Sequence, residues 1–149
     1  MLAWTTQKAL RQARFTRLIC AFAAPALYAG AIAMQNLGGR WARFLERPDR
    51  IPWHDPRVPW LLGLALAALA AALLAPMRLK AGADPLRALR LGNLLASVLL
   101  LVTAMCGLYT GMKLGSAAAP LAAAMLAAPV LAGLRQFPTT IRWERDLEG

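Results

Sequence analysis

"LGNLLASVLLLVTAMCGLYT", residues 91–110, is a run of twenty residues without a formal charge. An α-helix rises 1.5 Å per residue, so this stretch reaches about 30 Å, the thickness of the hydrocarbon layer of a membrane. Its residues do not alternate between apolar and polar, as those of a membrane barrel strand would. The stretch therefore predicts a helix that crosses a membrane.

Three further stretches have the same character, at residues 18–37, 58–77 and 114–134. The chain of 149 residues is 59% hydrophobic and 16% charged, whereas soluble domains carry about 25% charged residues. We therefore expect an all-α polytopic membrane protein, with one domain over residues 1–149 and a bundle of four transmembrane helices. The connecting segments are then an outer loop at 38–57, a cytoplasmic loop at 78–90 and a cytoplasmic tail at 135–149.

The basic residues predict the orientation of this bundle. Four spans place the N-terminal segment, the second loop and the tail on one side, with 11 Lys and Arg, and leave 6 on the other. The positive-inside rule then puts both termini on the cytoplasmic side of the membrane, which we expect to be a bacterial-type inner membrane. The net charge of +10 accompanies no nucleic-acid recognition motif, so we expect anionic lipid headgroups and no nucleic acid as partners.

The first loop combines an amphipathic segment with a proline-rich one. At helical spacing, residues 39–47 place Trp41 and Phe44 on one face and arginines beside them, which predicts a helix lying in the membrane interface. Prolines at 48, 52, 56 and 59 prevent further regular helix. Trp53 and Trp60, each after a proline, are interpreted as interfacial anchors.

Polar and aromatic residues gather at the predicted outer face, where a headgroup, a quinone or a partner loop could dock. His54 beside Asp55 could form an acid–base pair, although adjacent residues seldom direct their side chains at each other. Ordinary interfacial polarity explains the same residues without a ligand. The candidate contacts are Gln35, Asn36, Trp41, Trp53, His54, Asp55, Trp60 and Tyr109.

Gly107, Gly111 and Gly115 recur at four-residue spacing. Such a stripe removes side-chain bulk along one line and allows helices to approach closely in lipid. It could pack against the fourth helix of the chain, a second copy or another subunit. Gly111 and Gly115 could equally form the turn into the fourth span.

The predicted spans lack the groups on which most membrane chemistry depends. No ionisable residue lies deep in any of them, which disfavours an ion-coupled transporter. The chain has a single histidine, so bis-histidine haem ligation is excluded. Cys20 and Cys106 would lie about 20 Å apart along the membrane normal, too far for a disulfide. We therefore expect no catalytic residue, cofactor or metal.

Abundant packing signals and missing catalytic groups favour a non-catalytic accessory or structural subunit of a larger inner-membrane complex, packing through small-residue helix faces. One alternative is a small homo-oligomeric transporter or channel for a lipid or apolar substrate, with the helices kinked at Pro25 and Pro129 lining its path. A second alternative is a membrane enzyme of lipid or quinone chemistry that uses His54 and Asp55.

Overall fold

The computed structural model describes residues 4–36, 53–78, 84–114 and 118–148, and these form five helices and no strand. The all-helical prediction is confirmed for this part of the chain. The helices are α1 (Trp4–Asn36), α2 (Arg57–Arg78), α3 (Pro85–Lys113), α4 (Ala119–Arg135) and α5 (Thr140–Glu148). The predicted helix in the first loop, Trp41 and Gly115 lie outside the described residues, as do the side chains of Gln35 and Asn36.

Side-chain oxygens stabilise the starts of three helices. Asp84 accepts hydrogen bonds from the backbone N–H groups of Leu86 and Arg87, with Pro85 in the first helical position of α3. Asp55 and Thr139 accept from Arg57 N and Arg142 N at the starts of α2 and α5. These bonds satisfy N–H groups that have no partner within the helix, which fixes where each helix begins.

α3 is the central helix, because it contacts α1, α2 and α4 extensively. It runs antiparallel to α2, since Thr103 Oγ1 donates to the Ala65 carbonyl while Tyr109, further along α3, lies beside Trp60, earlier in α2. It runs antiparallel to α4 in the same way, and parallel to α1. The N-terminal ends of α1 and α3 therefore lie at the same end of the molecule as the C-terminal ends of α2 and α4.

The central core consists of small residues around one aromatic ring. Ala24, Tyr28, Ala104, Ala122 and Leu126 are buried together where α1, α3 and α4 meet. Alanines at the contact allow the helix axes to come close, and in lipid this close packing replaces the hydrophobic effect as the force between helices.

A second cluster lies at the end where the chain begins. Ala9, Leu10 and Ala13 of α1 bury Trp143 of α5 to 3% exposure, with leucines from the start of α3 packed against them. α1 has 33 residues and is about 50 Å long. The segment of it that packs against α5 lies in its first three turns.

Two helices in the described residues are long and apolar enough to cross a membrane, α2 over Arg57–Ala75 and α3 over its full length. A third candidate span consists of Pro120–Arg135 with Thr140–Glu148, which meet at an angle of 63°. Large apolar side chains are also exposed on the outer faces of the helices, among them Leu27, Leu66, Leu94 and Leu131. Two to three such helices indicate that the protein associates with a membrane.

Candidate functional site

An open groove of about 450 Å³ lies at the end of the molecule where α2 begins. The antiparallel packing of α2 and α3 brings two predicted outer-face residues together there, Trp60 and Tyr109. The other residues that line it are Pro56, Arg57 and Leu61.

The groove presents two amphipathic rings and a cation to its surroundings. Trp60 is 80% exposed, and Tyr109 is 42% exposed. Such rings suit the boundary between acyl chains and headgroups, since one edge is apolar and the other forms hydrogen bonds. The groove can therefore hold an apolar group together with an anionic or hydrogen-bonding one.

His54 and Asp55 lie beside this groove and are not joined to each other. In the described part of the chain, no hydrogen bond connects the two side chains, and His54 is exposed. One carboxylate oxygen of Asp55 instead accepts from Arg57 N at 2.9 Å. Asp55 thus stabilises the start of α2, and this geometry lends no support to an acid–base pair. Trp53 is exposed next to them.

A buried polar cluster at the opposite end was not predicted from the sequence. Arg17 is 3% exposed, and its guanidinium donates to Asn93 Oδ1 from Nη2 at 2.7 Å and from Nε at 3.2 Å. Asn93 Nδ2 donates to the Ala13 carbonyl at 3.2 Å, so the amide connects α3 with two turns of α1. Ser97 Oγ donates to the Asn93 carbonyl at 2.7 Å.

Arg17 has no counter-ion among the described residues, and its Nη1 has no hydrogen-bond partner there. A buried charge is tolerated only when hydrogen bonds replace its lost hydration. The neutral amide of Asn93 is therefore what keeps Arg17 in place, and the cluster serves to hold α1 against α3.

Two glycines of the predicted stripe are covered by the chain's own helices. A Cβ added at Gly107 would lie 2.9 Å from Met125 Cβ and 3.1 Å from the Ala122 carbonyl oxygen of α4. A Cβ added at Gly111 would overlap the Tyr28 ring of α1. This part of the stripe therefore faces neighbouring helices of the same chain.

Another small-residue face has no covering helix in the described structure. Gly63, Ala67 and Ala71 of α2 are exposed, and a Cβ added at Gly63 would meet no atom within 4 Å. Trp60 precedes them on the same side of the helix, because residues three, seven and eleven positions apart share a face. The face begins at the groove and continues along α2.

The described residues contain no cluster of metal-ligand side chains and no disulfide. No group of three or more His, Cys, Asp or Glu side chains lies together there. Cys20 and Cys106 are both free and buried.

Comparison of the chain with protein families, with curated proteins and with solved structures gave no match.

Proposed function

We propose that the chain is a non-catalytic accessory or structural subunit of a larger complex in a bacterial-type inner membrane, with four spans and both termini in the cytoplasm. The observation that carries this proposal is the uncovered small-residue face of α2, formed by Gly63, Ala67 and Ala71. A neighbouring helix of another subunit is its proposed occupant.

The physical reason lies in how helices associate in lipid. Acyl chains are as apolar as leucine, so a membrane helix gains by contacting another helix chiefly when the two backbones approach closely. Gly107 already makes such a contact within the chain, with the Ala122 carbonyl of α4. At Gly63 the outer surface of α2 is open to the same kind of close approach by another helix. The exposed Trp60 lies at one end of this face.

The transporter alternative gains no support from the contacts between its proposed lining helices. α1 continues through Pro25 and α4 through Pro129, so neither proline interrupts its helix. A Cβ added at Gly133 of α4 would lie 3.2 Å from Ala21 Cβ of α1, because the two helices are in close contact at that level. The proposal therefore favours packing over transport.

The test is gentle extraction of the protein from its own membrane followed by native mass spectrometry. We expect unrelated subunits at fixed stoichiometry. Gly63→Leu adds bulk to the proposed docking face and should release them. The control is Leu94→Phe, which adds bulk at an exposed leucine of α3 and should retain them. A monodisperse, functional monomer from the native membrane would contradict the proposal, as would equal retention of partners by the two variants.

A further inference from the structure

Two cations lie at the end of the bundle that carries the groove. Arg57 lines the groove, and Lys113 follows Tyr109 by four residues on the same face of α3. Both side chains are exposed, and neither forms a hydrogen bond or an ion pair with the described residues. The bond from Arg57 to Asp55 uses the backbone N–H. The guanidinium of Arg57 therefore keeps all five of its N–H donors for a ligand.

The two aromatic rings of the groove add neutral donors beside these cations. The indole N–H of Trp60 and the hydroxyl of Tyr109 make no hydrogen bond to the described residues, and both rings are exposed. No carboxylate is among the described residues that line the groove. Asp55 lies next to it, and one of its carboxylate oxygens accepts from the backbone at the start of α2. The groove is therefore electrostatically complementary to an anion.

The position of the groove along α2 matches the boundary between headgroups and acyl chains. The part of α2 that is apolar enough to cross a membrane begins at Arg57. From the groove toward the centre of the bundle, Leu64 follows Trp60 by four residues on α2, and it is exposed. Met105, also exposed, precedes Tyr109 by four residues on the antiparallel α3. Donors at the end of the bundle are therefore followed by apolar side chains on both helices.

From this arrangement we propose that the groove binds one anionic phospholipid. Arg57 holds the phosphate, because the paired N–H donors of a guanidinium match two phosphate oxygens. Tyr109 donates to the same headgroup, and Lys113 adds a second positive charge. The acyl chains lie along Leu64 and Met105. The groove volume of about 450 Å³ falls in the range of small-ligand sites. The inference rests on the membrane residence in the proposed function, and it does not require the partner subunit.

The probes are phosphatidylglycerol and phosphatidylcholine, added to the full chain in mild detergent and counted by native mass spectrometry. We expect one phosphatidylglycerol to be retained in preference to phosphatidylcholine. A basic residue near a membrane surface contributes about a factor of five in affinity, so Arg57→Gln should weaken retention about fivefold and Arg57→Gln with Lys113→Gln about 25-fold. Arg57→Gln leaves the start of α2 intact, because the bond to Asp55 uses the backbone N–H.

The matched control is Lys8→Gln with Arg11→Gln, which removes one lysine and one arginine, both exposed, from the opposite end of the bundle. It should keep the lipid. Equal retention of the two lipids, equal loss in the control, or displacement of the lipid by an equal concentration of inorganic phosphate would each overturn the proposal. Carbonate extraction tests membrane residence separately, and release of the chain by carbonate would overturn both proposals. A wild type that leaves its own membrane without other subunits would overturn only the proposed function.

Discussion

Replacing Asn93 by leucine removes the acceptor of both hydrogen bonds that Arg17 makes in the described structure. Leucine has the same branched skeleton of four side-chain heavy atoms, so no cavity is left behind, and the change acts mainly on the buried guanidinium. Hydrogen bonds to a charged group are each worth about 1.5–3 kcal/mol, and a buried charge that loses its partners adds a desolvation cost. We expect Asn93→Leu to lower the free energy of unfolding by about 3 kcal/mol.

The buried thiols of Cys20 and Cys106 provide the assay, since a thiol-reactive fluorogenic dye labels them only when the helices separate. A loss of 1 kcal/mol lowers the midpoint by about 2–4 °C in a chain of this size, so we expect a shift of about 6–12 °C. Asn93→Asp keeps the acceptor oxygens and should shift the midpoint much less.

A double-mutant cycle identifies the cause of the loss. Arg17→Met combined with Asn93→Leu removes donor and acceptor together, and replacing both partners by apolar groups is often nearly neutral. The double variant should therefore recover most of the stability that Asn93→Leu loses. A midpoint for Asn93→Leu within about 2 °C of the wild type, or no recovery in the double variant, would refute the idea that Asn93 stabilises a buried charge.

Gly107→Leu should lower the same midpoint, because a side chain there overlaps α4 and overpacking costs about 1–3 kcal/mol. Gly30→Leu places its side chain in open space and should leave the midpoint unchanged. Equal shifts in the two variants would contradict the close contact between Gly107 and α4. Trp143→Ala should cost about 3 kcal/mol and increase hydrogen exchange in α5, whereas unchanged exchange would show that α5 is held by other contacts. Cysteine at position 54 should react with an impermeant thiol reagent added to intact cells, and cysteine at Glu148 only after lysis. The reverse pattern would invert the proposed orientation.

The helices could be located from the sequence because each depends on a local signal. The uncharged runs at residues 58–77 and 91–110 fall within α2 and α3, and the Asp84–Pro85 pair marks the start of α3. The dipeptide Asp55–Pro56 carries a similar signal before α2 and would have identified Asp55 as a stabiliser of that helix. The neighbouring His54 makes the same residue resemble half of an acid–base pair.

The Arg17–Asn93 cluster could not be found in this way, because it depends on which side of α1 faces α3. Lys8, Arg11, Arg14 and Arg17 recur every three residues and resemble a uniform row of flanking charges. At 3.6 residues per turn the nine positions from Lys8 to Arg17 make about two and a half turns, so the two residues lie on opposite sides of the helix. Only the interhelical arrangement decides that Arg17 is the buried one.

The central position of α3 has a consequence for biosynthesis. α1 and α2 share few contacts with each other, and each packs mainly against α3. Because translation proceeds from the N-terminus, the first two helices leave the ribosome before their common partner exists. Until Asn93 is inserted, Arg17 has none of the acceptors described above. Formation of Pro85–Lys113 is therefore the step that brings α1 and α2 into one bundle, and a protein truncated before it lacks the helix against which both of them pack.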